Sequence, residues 1–181
     1  MRVAVTGHSR GIGLEIFNYF QSLGHTCIGF SRTNGYDIGL SSDRSRIIEE
    51  SRSCDIFVNN ACVYTDDSQL ELLDGMCKVW AGLSNKIIIN IGSRSADYAV
   101  GGIPFHNIEY ARIKARQDLY INNRHNKEWP WVINLKPSRV DTAFSHGQDG
   151  PKITTGSVGR VVDYILSSRD QFRVVSITFV L

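Results

Sequence analysis

The sequence predicts an α/β protein: a doubly wound parallel sheet with helices on both faces, arranged in three α/β/α layers as a single domain over residues 1–181. Short apolar, β-branched runs alternate with helical patterns along the chain, and such alternation joins parallel strands through crossover helices. The run Ile87-Ile88-Ile89 is apolar at every position, as a strand buried on both faces requires. A length of 181 residues fits one domain.

Six strands and five helices account for this pattern. The strands are predicted at 3–5, 26–30, 55–58, 86–91, 131–135 and 174–180. The first helix follows from Ile12, Ile16, Phe20 and Leu23, which recur at steps of three and four residues. Further helices are predicted at about 42–52, 69–83 and 108–122, and after Ser157, whose residue type is common at helix N-caps.

Composition narrows the function classes. The chain has 20 Lys and Arg against 18 Asp and Glu, a formal net charge of +2, which gives no electrostatic basis for binding nucleic acid or an anionic membrane. No apolar run reaches the ~20 residues that span a bilayer, and the N-terminus lacks the features of a secretory signal. The cysteines have no CxxC spacing and the histidines are scattered, so we expect reduced thiols, no metal site and a cytoplasmic location.

A glycine-rich turn lies between the first strand and the first helix, with the sequence Thr-Gly-His-Ser-Arg-Gly-Ile-Gly at 6–13. Glycines at this place allow a tight turn and a close approach of backbone to a diphosphate. The N–H groups at the start of the following helix favour phosphate. A turn without a ligand is the alternative, but the position between strand and helix favours a nucleotide site.

This turn resembles the TGxxxGxG motif of the short-chain dehydrogenase/reductase family, which has a Rossmann-type fold. Later segments resemble family motifs in the same order: 59–62 resembles NNAG, 110–114 resembles YxxxK, and 134–142 resembles NxxxPGxxxT. The resemblance covers nearly the whole chain, which is short for the family. Cys62 and Ser138 stand where the motifs have glycine, and Cys62 is expected to line the cofactor pocket.

The residues after the second strand predict which dinucleotide is bound. An acid at that place accepts a hydrogen bond from a free 2′-hydroxyl, but here Ser31 and Arg32 follow the strand. The Arg32 guanidinium suits a 2′-phosphate, and Arg10 is placed to share it. We therefore predict NADP(H) rather than NAD(H); the alternative is that both arginines are ordinary surface charges.

The resemblance implies further contacts with the cofactor. Asp37 would bind the adenine amino group, the asparagines after the third strand would support the ribose, and the Val140 backbone and the Thr142 hydroxyl would meet the carboxamide. The predicted cofactor contacts are Thr6, Gly7, Ser9, Arg10, Gly11, Ile12, Gly13, Ser31, Arg32, Asp37, Ile38, Asn59, Asn60, Ala61, Tyr110, Lys114, Pro137, Val140 and Thr142.

Three residues are predicted to be catalytic. Tyr110 and Lys114 are four apart on a helix and so share one face, where the ammonium is expected to lower the phenol pKa from its usual ~10. By resemblance, Tyr110 transfers the proton and Lys114 also holds the nicotinamide ribose. Ser93 orients the substrate carbonyl, with Ser95 as the alternative.

These residues predict an NADP(H)-dependent oxidoreductase acting on a small carbonyl or alcohol; the alternative is a non-catalytic NADP(H)-binding sensor on the same scaffold. Two features favour the sensor: no asparagine at 61–84 matches the family's proton-relay residue, leaving another group or bulk water, and the lid at 143–155 is short. By resemblance we expect a homodimer or homotetramer. Tyr98, Phe105, His106 and Phe144 are candidate pocket walls.

Overall fold

Six parallel strands form one sheet in the computed structural model of the chain, which describes residues 1–103, 107–124, 129–147 and 149–181. The strands are β1 (Arg2–Thr6), β2 (Thr26–Phe30), β3 (Ile56–Asn59), β4 (Ile87–Ile91), β5 (Trp131–Pro137) and β6 (Ser176–Phe179). The helices are α1 (Gly11–Ser22), α2 (Ser41–Ser51), α3 (Ser68–Val79), α4 (Ser95–Val100), α5 (Ile108–Asn122) and α6 (Thr155–Ser167).

Each predicted strand is present, with bounds within two residues of the prediction. The helix predictions need three corrections. The last helix begins at Thr155 and not after Ser157: its N-cap is Thr154, whose side chain accepts the Ser157 N–H, so Ser157 lies inside the first turn. α4 was not predicted, because its six residues are too short to show a periodic apolar pattern. α3 ends at Val79 and not at 83, and Gly82 follows it with a φ of +78°, a left-handed conformation that does not continue a right-handed helix.

Apolar side chains cover both faces of the sheet, as predicted. On one face Val3 and Val5 of β1 pack with Ile16 and Phe20 of α1, and with apolar residues of α6. On the other face Ala4 packs with apolar residues of α2 and α3, and Trp80 is fully buried there. Successive residues of a strand point to opposite faces, so uninterrupted apolar strands serve both layers.

The strand order β2-β1-β3-β4-β5-β6 determines where the sheet has an open crevice. The chain leaves β1 toward β2 on one side and returns to β3 on the other side of β1. The connections after β1 and β3 therefore diverge to opposite faces at the carboxyl end of the sheet, where open α/β sheets bind ligands. Polar residues that follow the strands are brought together there.

The packing of α1 against β1 requires glycine at position 13. A Cβ added to Gly13 would lie 2.2 Å from the Gly7 carbonyl oxygen and 2.5 Å from Nδ2 of Asn60. Since one of these neighbours is backbone, helix and strand would have to separate.

We expect Gly13→Ala to lower the free energy of unfolding by about 3 kcal/mol, measured by urea denaturation, because it overpacks this contact. The matched control is Gly156→Ala in α6, where the nearest atom, Oε1 of Glu15, lies 3.8 Å from the added Cβ. That variant should be as stable as the parent or slightly more stable. Equal losses in the two variants would contradict the proposed packing constraint.

Candidate active site

A cleft of about 1470 Å³ opens at the carboxyl ends of the strands. It runs from the residues after β2 to those after β4 and β5, and it exceeds the ~300–1,000 Å³ of a common small-molecule pocket. Most of the predicted site residues line it: Gly7, Ser9, Arg10, Gly11, Ile12, Ser31, Arg32, Asp37, Ile38, Asn60, Ala61, Ser93, Tyr110, Lys114, Pro137, Val140 and Thr142.

Three predicted cofactor residues lie behind the cleft wall and do not line it: Thr6, Gly13 and Asn59. The buried Thr6 hydroxyl donates to the Val58 carbonyl and accepts the N–H groups of Asn60 and Ala61, at 2.9 to 3.2 Å, so it ties β1 to the end of β3. The Asn59 side chain is also fully buried. The Thr6 and Asn59 side chains therefore support the wall of the cleft from inside the protein and do not face into it.

The glycine turn has the form that a diphosphate needs. Gly7 and Gly11 have φ values of +69° and +58°, and a Cβ on Gly11 would come within 3.3 Å of the Thr142 methyl group. Arg10 precedes α1 without a side-chain hydrogen bond to the helix, so no side chain of the N-cap occupies the first N–H groups. The turn thus has both the space and the donors that suit phosphate.

Residues 31–34, directly after β2, present one cation, Arg32, together with two hydroxyls and no carboxylate. Arg32 begins a short 3₁₀ helix, Arg32–Asn34, and the backbone N–H of Ser31 at its N-cap donates to Oδ1 of Asn34 at 2.8 Å. Arg10 and Arg32 are both exposed, and neither forms an ion pair with another described residue. Further along, Asp37 lines the cleft while its Oδ1 accepts the Gly39 N–H at 2.9 Å, so its carboxylate also holds the turn.

The three predicted catalytic residues converge. Ser93 follows β4, and its hydroxyl hydrogen-bonds the phenol of Tyr110 on α5. Lys114, one turn further along α5, holds its Nζ 5.6 Å from the centre of the Tyr110 ring. Ser95 does not take the place of Ser93: it donates to the Ser93 Oγ from its N–H at 3.1 Å and from its hydroxyl at 2.8 Å. With both these bonds accepted, the Ser93 proton is directed at Tyr110 or at a bound carbonyl.

An aromatic cover, which we define as Tyr64 and Phe144, lies over Tyr110. The two rings stack at 4.6 Å with 17° between their planes, and Tyr64 meets Tyr110 edge-on at 5.5 Å. Tyr64 and Phe144 are 41% and 49% exposed. Phe144 was a predicted wall residue and Tyr64 was missed, since a lone aromatic in a loop carries no periodic signal.

The other predicted wall residues have different outcomes. Tyr98 lines the cleft, and the Arg94 guanidinium lies 5.9 Å from the centre of its ring. Phe105 and His106 lie outside the described residues.

Solved structures match the chain closely in fold and distantly in sequence. A short chain dehydrogenase/reductase family protein superposes with a TM-score of 0.80 at 18% identity, over 99% of this chain and 94% of that one. A short chain dehydrogenase from Burkholderia cenocepacia in complex with NADP gives 0.80 at 16%, over 99% and 88%. The 3-alpha-hydroxysteroid dehydrogenase from Pseudomonas sp., complexed with NADH, gives 0.72 at 18%, over 99% and 95%. No protein-family model and no curated protein sequence matches the chain.

The chain has the short-chain dehydrogenase/reductase fold. Cys62 stands where the family motif has glycine, yet its backbone is not in the left-handed region: no described residue other than glycine has a positive φ. Cys62 lines the cleft, as expected. Cys62 and Cys27 are half-buried, whereas Cys54 and Cys77 are fully buried.

The predicted lowering of the Tyr110 pKa is wrong. Burial raises the pKa of Tyr110 well above its ordinary value, the nearby Cys62 raises it further, and the hydrogen bond from Ser93 acts in the opposite direction. Burial likewise lowers the pKa of Lys114, against the opposing effects of Cys62 and Asp118. Because both groups are removed from water, desolvation of the charged forms outweighs the attraction that spacing alone predicts. The phenol is therefore held protonated, ready to donate.

The described residues offer neither a metal-binding cluster nor a helix that could cross a membrane. No group of three or more His, Cys, Asp or Glu side chains among them is arranged to hold a metal ion. None of the helices they form has both the length and the apolar character to cross a membrane.

We expect the double variant Tyr64→Ala/Phe144→Ala to lower the Tyr110 pKa, because removing the aromatic cover lets water reach the phenolate. The measurement is tyrosinate absorbance during an alkaline titration, taken as the difference from the same background carrying Tyr110→Phe.

The matched control is Phe172→Ala, which removes an exposed ring that contacts Tyr164 and does not line the cleft. It should leave the Tyr110 midpoint unchanged. If the double variant and the parent ionise at the same pH, the aromatic cover does not set the pKa of the phenol.

Proposed function

We propose that the protein is an NADP(H)-dependent oxidoreductase that reduces a small carbonyl compound, or oxidises the corresponding alcohol. The observation that carries this proposal is the convergence of Ser93, Tyr110 and Lys114 at one end of a cleft whose other end has a glycine turn and two arginines. The fold supports it, since structural neighbours include dehydrogenases in complex with NADP or NADH.

The cleft suits a nicotinamide dinucleotide along its length. The glycine turn and the start of α1 would hold the diphosphate, and Ser31, Arg32 and Arg10 would hold the 2′-phosphate. Asp37 would face the adenine, and the segment from Pro137 to Thr142 the carboxamide. When bound, the nicotinamide supplies or accepts the hydride.

The hydroxyl groups of Ser93 and Tyr110 would bind the substrate oxygen. A carbonyl oxygen placed between Ser93 and Tyr110 accepts hydrogen bonds from both hydroxyls. As that oxygen gains negative charge, the O–H bond of Tyr110 breaks and the proton moves to the oxygen, which leaves an alcohol and a phenolate. In the reverse direction the phenolate takes the proton back. The Lys114 ammonium stabilises the phenolate in both directions.

We expect Tyr110→Phe to lower NADPH oxidation by about a hundredfold or more, since general acid catalysis contributes that much, while NADPH still binds. The measurement is the loss of NADPH absorbance with a panel of aldehydes, ketones and quinones, alongside a binding titration. A variant as active as the parent would exclude Tyr110 as the proton donor.

The second candidate is a non-catalytic NADP(H)-binding sensor. The aromatic cover favours it, because its two rings stack on each other and both contact the ring of Tyr110. In that case the parent protein binds NADPH and turns over no member of the panel.

The choice of NADP(H) over NAD(H) rests on Arg32 and on the missing acid after β2. We expect Arg32→Asp to weaken NADPH binding about tenfold or more and to improve NADH binding, because a charge-assisted hydrogen bond contributes about 1.5–3 kcal/mol. The measurement is a calorimetric titration with each nucleotide.

The control is Arg169→Asp, beyond the end of α6, where the arginine pairs only with the adjacent Asp170 among the described residues. It should leave both affinities unchanged. Unchanged NADPH affinity in Arg32→Asp would refute the assignment of the 2′-phosphate.

A homodimer or homotetramer, formed through α5 and its neighbouring helix as the family resemblance implies, and a cytoplasmic location both stay predictions. The exposed side of α5 is mainly charged: Arg112 pairs with Glu109 and Arg116 pairs with Asp67, within the chain. Leu119, at 62% exposure, is an apolar residue on that side. An interface built there would have a polar character.

A further inference from the structure

Lys114 carries its ammonium group into the protein interior. The residue is only 2% exposed. Its Nζ donates to Oε1 of Gln69 at 2.6 Å and to the Ile91 carbonyl at 2.9 Å, and it also contacts the Cys62 side chain. An ammonium has three N–H donors, and protein oxygens accept two of them here.

The Gln69 carboxamide can face Lys114 in one orientation only. Its Nε2 donates to the carbonyl oxygens of Asn59 and Ile91, at 2.8 and 3.1 Å. Its Oε1 accepts from Lys114 and from Nε2 of Gln117, the latter at 3.1 Å. Exchanging oxygen and nitrogen would set donors against donors on one side and acceptors against acceptors on the other. The fully buried amide therefore fixes an acceptor against the ammonium.

Behind Gln69 the polar side chains are carboxamides. Asn59 donates to Asn90 at 2.9 Å, and Asn90 donates to Asn134 at 3.0 Å. The first titratable group along this path is Asp118, which accepts from Asn134 at 2.8 Å and pairs with Lys136. Carboxamides neither gain nor lose a proton at neutral pH, so this network holds the cation without competing for its proton.

We propose that Gln69 is the positioning residue of Lys114: its amide oxygen holds the ammonium beneath Tyr110 and keeps it charged without neutralising it. The role of Lys114 toward the phenol rests on the proposed function, but the contact itself does not. A carboxylate at position 69 would cancel the positive charge, and an apolar side chain would leave a buried N–H without an acceptor.

Three titratable groups face Lys114 in the described structure: Tyr110 on the same helix, Cys62 on the loop after β3, and Asp118 one turn along α5. Burial lowers the Lys114 pKa, and Cys62 and Asp118 raise it. The Gln69 oxygen acts on this balance as the nearest neutral acceptor.

The test is the titration of Lys114 itself, followed by NMR of protein labelled with ¹³C at the lysine ε-carbon, with Lys114→Arg to assign the signal. We expect Gln69→Glu to raise the midpoint by about one pH unit or more, and Gln69→Leu to lower it by about one unit or more. Gln117→Leu is the matched control, because it removes a buried carboxamide and leaves the Lys114 contact in place. It should shift the midpoint far less than either variant at position 69.

A midpoint that stays at the parental value in folded Gln69→Glu overturns the proposal; that variant keeps the shape of the side chain and serves if Gln69→Leu does not fold. An equal shift in Gln117→Leu also overturns it, since the effect would then come from loss of packing. The readout needs no turnover. An inactive parent with the expected shifts would overturn the proposed function alone, whereas an active parent with unmoved midpoints would overturn this inference alone.

Discussion

The side chain of Lys114 borders the cleft but is only 2% exposed, so protein atoms must supply most of the hydrogen-bond acceptors of its ammonium. A buried charge is costly unless hydrogen bonds surround it, and this requirement explains the polar interior of an otherwise apolar sheet. Gln69, the Ile91 carbonyl and Cys62 supply the acceptors. The same burial that requires these acceptors also raises the pKa of the adjacent Tyr110 phenol. Burial is therefore the common cause of the hydrogen bonds around Lys114 and of the raised phenol pKa.

The fold could be predicted from the sequence because its signals are local and repeated. Each strand is a short apolar run, and the glycine turn follows the first of them. The convergence of Ser93 with Tyr110 could be anticipated only through the resemblance, since no local pattern joins residues on separate elements. The structure brings them together because the carboxyl end of β4 and the start of α5 meet at the same edge of the sheet.

Other parts of the site could not be predicted, for physical reasons. Gln69 lies 45 residues from Lys114, and a glutamine on an amphipathic helix gives no sign that it faces inward to a cation. Asn59 and Asn60 are adjacent and identical in type, yet the first is buried beneath the wall and the second lines the cleft, because successive residues leaving a strand point in opposite directions. The spacing of Tyr110 and Lys114 showed their proximity but not their burial, and burial decides the direction of both pKa shifts.

At 16–18% identity the solved structures share the fold of this chain, and the chemistry has to be inferred from the residues of the chain itself. The most direct test is a crystal structure of the protein with NADPH bound. We expect the nicotinamide between the Pro137–Thr142 segment and Tyr110, with Lys114 within hydrogen-bonding distance of the attached ribose and the 2′-phosphate against Arg32. A nucleotide bound in the reverse direction, or bound outside the cleft while the aromatic cover stays closed over Tyr110, would contradict the central claim.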